Sequence, residues 1–241
     1  MQKIKFTISY DGSQFFGSQV QPDKKTVQGV LDEVLGILNI DTKLELSGRT
    51  DKDVHAFRQV VSCIIPSHWK DLDSLKNKIN RLLPNAIFLR NIKQVEEDFH
   101  ARFSAKTREY RYLFSNKALS PFNSNYISYY KEINEEKINE VIKLFVGKYD
   151  FEFFSKTGSE PGSTIREIYD VKLYKYKDIY VLKFNANSYL RSQIRMMVDA
   201  IMKVSSGKLT LEEISEQLEK KKQNTWTLAS PYGLYLSKII Y

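Results

Sequence analysis

Leu44-Glu45-Leu46-Ser47-Gly48-Arg49-Thr50-Asp51-Lys52-Asp53-Val54-His55-Ala56 is a strand end, a turn and the approach to a second strand. Leu44 and Leu46 alternate with polar neighbours, and Gly48 admits backbone angles closed to other residues, so the chain can reverse there. Outward from this stretch, Ile4, Phe6, Ile8 and Tyr10 alternate as a half-buried strand that Asp11-Gly12-Ser13 ends. Thr26 is a suitable N-cap for a helix whose Val27, Val30, Leu31, Val34, Leu35 and Leu38 fall on one face. After the turn, Arg58–Ile65 reads as a buried strand. Leu72, Leu75, Ile79, Leu82 and Leu83 mark a second amphipathic helix stopped by Pro84, and Ala86–Val95 is a further strand. The order strand, helix, strand, strand, helix, strand predicts a ferredoxin-like split arrangement, with helices on one face of an antiparallel sheet. The Asp51 loop then joins its second and third strands.

The second half starts with Phe99-His100-Ala101-Arg102-Phe103, followed by Arg108–Phe114, where Tyr110, Tyr112 and Phe114 share one strand face and Arg111 the other. Such rings either pack a sheet or stack on a base. Ile133–Phe145 has helical spacing. Residues 156–164 read as a loop, either a surface turn or a flap over RNA. Strands near 167–176 and 179–186 form a hairpin with Lys177-Asp178 at the bend. Leu190, Ile194, Met197, Val198, Ile201 and Met202 predict a helix that Asn187 could cap, with Arg191 and Arg195 on one face. Arg195 lies in an apolar run, where an unpaired charge is costly to bury, so it should meet an anion, either a phosphate or Asp51. A helix about Leu211–Lys221 and a strand at Tyr232–Leu236 close the chain. The Lys220-Lys221-Lys222 run reads as a solvated helix end or a phosphate contact.

The chain of 241 residues carries 37 Lys and Arg against 29 Asp and Glu, a net charge of +8, which favours a polyanionic partner. Fifteen tyrosines and 14 phenylalanines interleave with that charge, and such rings can stack on unpaired bases as well as fill a core. No apolar run is long enough to span a bilayer, and residues 1–20 do not read as a signal peptide. The single cysteine, Cys63, sits in a β-branched run and reads as a core residue in a reducing, cytoplasmic setting. His55, His68, His100 and Cys63 show no zinc spacing, so no protein-held metal is expected.

From residue types alone, Asp51 reads first as a turn carboxylate held ionised by Arg49, and such a group can also act as a nucleophile. The longer string Gly48-Arg49-Thr50-Asp51 followed by Val54-His55-Ala56 resembles the signature of the TruA family of tRNA pseudouridine synthases. The Phe99–Ala105 and Arg108–Phe114 stretches, Arg195 and Tyr232–Leu236 resemble that family in the same order. The resemblance implies an isomerase needing no cofactor and no metal, acting on uridines at positions 38, 39 or 40 of the tRNA anticodon arm. It implies Asp51 as the nucleophile, Tyr110 as the active-site tyrosine, and Arg49 and Arg195 in or near the active site. His55, Arg102, Arg111 and Arg191 become candidate substrate contacts beside Tyr110 and Arg49. It also implies an α+β fold of two halves, 1–103 and 104–241. Their sheets are expected to join into one extended sheet, helices on one face and a cleft on the other, in a homodimer that grips tRNA. The chain departs from the family pattern at Lys52-Asp53, where a residue and glycine are usual, and at Ser18, where tryptophan is usual. Two other readings are a non-catalytic RNA-binding module of the RRM kind, and a paralogue acting on ribosomal RNA or another tRNA position. The module does not require Arg49-Thr50-Asp51, and its glycine-and-aromatic stacking motif is missing from the sequence.

Overall fold

The computed structural model describes residues 1–156, 158 and 162–241. The expected loop at 156–164 therefore lies partly outside the described residues. The chain divides into two compact units, Met1–Lys106 with Tyr235–Tyr241, and Thr107–Leu234. Both mix helices with mainly antiparallel strands, the α+β class that the sequence pattern predicts.

In the first unit, strand β1 (Gln2–Tyr10) buries Ile4, Phe6, Ile8 and Tyr10. Helix α1 (Val27–Ile37) starts at Thr26, whose Oγ1 accepts from the Gly29 N–H at 3.2 Å. Strand β2 (Glu45–Leu46) and strand β3 (His55–Ile65) flank the Asp51 loop. Helix α2 (Leu72–Leu82) is capped by Asp71 and buries Leu75 and Ile79, and strand β4 (Ile87–Gln94) follows. β1 lies between β4 and β3, antiparallel to both, and β2 pairs antiparallel with β3, which is the split arrangement. β2 is shorter than the alternation suggests and β3 longer. Ser47 adds one further backbone bond to Val60, after which the chain turns away. At its other end β3 is extended by a partner the local pattern does not reveal. The C-terminal strand pairs in parallel with it, Tyr235 opposite His55 and Leu236 opposite Ala56. The end of the chain thus belongs to the first unit.

In the second unit, β5 (Thr107–Ser115) pairs with the short β6 (Ser128–Tyr129), and helix α3 (Glu135–Leu144) and β7 (Gly147–Asp150) follow. β8 (Ile165–Tyr176) and β9 (Ile179–Ala186) form the expected hairpin, with Lys177 at φ +53 in the bend. The antiparallel order is β5-β9-β8-β7. Helix α4 (Gln193–Ser205) is largely buried, and α5 (Leu211–Leu218) opens with a capping box between Thr210 and Glu213. The remaining strand, β10 (Leu234–Ile240), is the one that returns to β3. Asn187 does not cap α4. Its Oδ1 accepts from the Glu167 and Ser188 N–H groups, and the helix begins after Ser192, at φ +57. Arg191 therefore precedes the helix and does not share a helical face with Arg195.

Candidate active site

The Asp51 loop is held at Gly48 and Thr50 by groups from elsewhere in the first unit. The fully buried Gln59 donates from Nε2 to the Gly48 carbonyl at 2.7 Å and accepts from the Ser47 hydroxyl. Thr50 is held on three atoms. Its N–H donates to Ser18 Oγ at 2.9 Å, its carbonyl accepts from the Ser18 N–H at 3.1 Å, and its hydroxyl bonds Tyr10 Oη at 2.8 Å. Gly17, at φ +95, lets the neighbouring chain approach closely, since a Cβ there would stand 2.8 Å from the Thr50 carbonyl oxygen. Ser18 is 0% exposed, so the residue that replaces the usual tryptophan works as a hydrogen-bonding wedge.

Asp51-Lys52-Asp53-Val54 is a tight turn closed by the Val54 N–H donating to the Asp51 carbonyl at 3.2 Å. Asp53 takes φ +65 there, the conformation for which glycine is usual at the third turn position. Aspartate is among the few other residues that tolerate it, so the departure at Asp53 preserves the turn. Beyond the turn, His55 is 1% exposed. Its Nδ1 accepts from the Gly12 N–H at 3.0 Å and its ring stacks on Tyr235 at 4.6 Å between centroids. Asp11 Oδ1 lies 3.3 Å from the same nitrogen. This carboxylate forms an ion pair with the ring only when the imidazole is protonated. It also accepts from the Ser13 N–H at 3.0 Å and hydroxyl at 2.7 Å. His55 thus supports the loop from within the unit.

The side chains of Arg49 and Asp51 do not pair, contrary to the reading from adjacency. Among the described residues Arg49 has no carboxylate partner, and its side chain is exposed while Asp51 is half-buried. The guanidinium is left available to a ligand. Arg102, in the same unit, is exposed beside the ring of Phe103, at 5.4 Å from its centroid.

In the second unit the two tyrosines of β5 differ sharply. The Tyr112 hydroxyl donates to Ser128 Oγ at 2.8 Å and contacts Tyr130 Oη at 3.1 Å; burial, partly offset by those bonds, pushes its pKa up. It is a core residue. Tyr110, 8% exposed, meets the edge of the Tyr189 ring at 5.4 Å. The Tyr189 hydroxyl is buried with no hydrogen-bond partner among the described residues, and burial pushes its pKa well up. Arg111 points away from these rings and pairs with Glu109 at 3.0 Å. Arg191 is exposed, whereas Arg195 is half-buried and donates from Nε to the Ala229 carbonyl at 2.8 Å. Sequence reasoning missed Ser18, Tyr10, Gln59 and Tyr189. Ser18 stood out only as a departure from the family pattern and Tyr10 only as a strand residue, and nothing local marks Gln59 or Tyr189.

The chain matches the family model described as tRNA pseudouridine synthase over residues 7–104 and 141–241. It therefore belongs to the tRNA pseudouridine synthase family, the isomerases that convert uridine to pseudouridine. It is 45% identical over 241 residues to the tRNA pseudouridine synthase A of Campylobacter jejuni subsp. doylei, covering 100% of both chains. It is 43% identical to that of Wolinella succinogenes, covering 97% of this chain and 92% of the relative. The Geobacillus relative is 34% identical, with 100% and 98% covered.

Proposed function

We propose that this protein isomerises uridines at positions 38, 39 or 40 of the tRNA anticodon arm, with Asp51 as the nucleophile. The observation that carries the reading is the immobilised Gly48–Asp51 turn in a chain of this family, which presents one half-buried carboxylate beside an unpaired, exposed Arg49. The reaction is a net rearrangement. The C1′–N1 bond breaks, the uracil turns while enclosed, C1′ bonds to C5, and the C5 proton is lost as N1 gains one. Asp51 attacks either ribose C1′ or base C6. The target base must first leave its stack, which costs a few kcal/mol. Arg49 fills the space the base vacates or steadies Asp51. Tyr110, backed by the Tyr189 edge, supports the flipped base, and it is suitable for handling the C5 proton. Arg195, whose Nε donates to the Ala229 carbonyl at 2.8 Å, serves in or near the active site. Arg102, Arg111 and Arg191, all on the surface, hold the phosphate backbone without reading sequence.

We place the enzyme in the cytoplasm as a homodimer, following its family; light scattering at working concentration tests the dimer. The central test uses unmodified tRNA. Asp51→Ala should abolish product while RNA affinity stays within a few fold, and undiminished pseudouridine from that variant overturns the role. Mapping pseudouridines in RNA from cells lacking the gene tests the substrate. Loss at ribosomal positions alone would favour the paralogue reading.

A further inference from the structure

We propose that Lys24 and Lys52, both held over the ring of Phe16, form a phosphate clamp for the RNA backbone next to the nucleotide offered to Asp51. This rests on the function proposed above and names part of how that site takes its substrate. The Phe16 ring is 40% exposed. The Nζ of Lys24 lies 4.9 Å from its centroid and that of Lys52 lies 4.7 Å away. Cation–π attraction, worth about 0.5–1 kcal/mol at an exposed site, biases each exposed ammonium toward the ring and leaves it N–H donors for a further partner. Neither ammonium has a carboxylate within salt-bridge distance among the described residues, whereas Lys3, Lys76, Lys183, Lys203 and Lys220 each have one. Two unneutralised like charges near one ring repel each other, and a phosphate bound beside them offsets that repulsion.

The clamp and the Asp51 loop share one frame. The Phe16 N–H donates to the Lys25 carbonyl at 2.9 Å, and its carbonyl accepts from Gln21 Nε2 at 2.6 Å, so the ring stands on an anchored backbone. On one side of it the Phe15 carbonyl accepts from the Asp53 N–H at 3.4 Å, and on the other Ser18 holds Thr50 through both backbone groups. Lys52 itself follows Asp51 in the chain. A phosphate gripped here is therefore positioned relative to the carboxylate by short, ordered links. The ring partly restrains the lysines before binding, which reduces the rotamer freedom they lose.

The test measures binding of an unmodified anticodon stem-loop RNA against KCl concentration, and the single-turnover rate of pseudouridine formation at saturating RNA. Lys24→Ala and Lys52→Ala should each weaken binding several-fold at moderate salt. Each should also flatten the log–log salt slope by about 0.7, the value for one single-strand phosphate contact. Lys52→Arg should restore the slope. Phe16→Leu keeps both charges and should weaken binding less than the double lysine variant. Lys143→Ala, an exposed lysine on α3, controls for simple loss of charge. Slopes for the two variants equal to that of Lys143→Ala overturn the clamp, even if the wild type makes pseudouridine normally. Flattened slopes with no product from the wild type would instead remove the substrate assignment and leave the clamp standing.

Discussion

Removing the Ser18 hydroxyl asks whether the frame around Thr50 aims Asp51. Ser18 Oγ accepts the Thr50 N–H at 2.9 Å, in a place where Ser18 is 0% and Thr50 7% exposed. In Ser18→Ala that donor loses its acceptor where water cannot replace it, a penalty of about 1–3 kcal/mol. At about 2–4 °C per kcal/mol for a chain of this size, the melting temperature should fall by several degrees. The two remaining ties, Ser18 N–H to the Thr50 carbonyl and Tyr10 Oη to the Thr50 hydroxyl, should keep the loop folded but less well fixed. A displacement of about 1 Å at a reacting group can cost about 100-fold in rate, so the saturated rate should drop by about one to two powers of ten while RNA affinity changes little. Thermal melts with single-turnover kinetics on unmodified tRNA give both quantities. A variant that melts lower yet reacts at the wild-type rate refutes the link between the Thr50 frame and Asp51. An unchanged melt refutes the buried bond itself.

Tyr189→Phe deletes a buried hydroxyl without a partner, so it should leave stability unchanged or raise it by up to about 1 kcal/mol; a clear loss in chemical denaturation would show that the hydroxyl is satisfied. Glu45 is disfavoured as a carboxylate by burial, but hydrogen bonds from Lys3 and Ser62 outweigh this and lower its pKa from the ordinary 4.5. Its contribution is therefore present above that pH and is lost as the pH falls through the lowered value. Glu45→Gln should shrink the difference in melting temperature between pH 7 and pH 4, and an unaltered difference would count against the pairing. Burial pushes the Cys63 thiol up to about 12, so alkylation at neutral pH should be slow in the folded protein and rapid in denaturant. Fast labelling of the native chain would contradict that burial.

The local elements were legible because their signals are local. The alternation in Ile4–Tyr10, the spacing of Val27–Leu35, the Thr26 cap and the Lys177-Asp178 bend need only neighbours in the chain, and each is found in place. The family resemblance of the Asp51 loop was equally visible, since its motif is contiguous. Asn187 misled because its side chain serves both helix caps and turns, and the turn won by bonding Glu167 on β8. Arg49 misled because adjacency in sequence does not aim two side chains at each other.

The sequence by itself determined the α+β class, the motif-bearing turn and the two strands it joins, because these follow from periodicity, capping and contiguous residue types. Only the tertiary structure decided that the last strand returns to lie parallel to His55 and Ala56, and that Ser18, Tyr10 and Gln59 hold Gly48 and Thr50. The same holds for the two lysines brought to the ring of Phe16. These contacts link residues up to 180 positions apart, and whether such groups meet depends on the packed backbone, which no local pattern encodes.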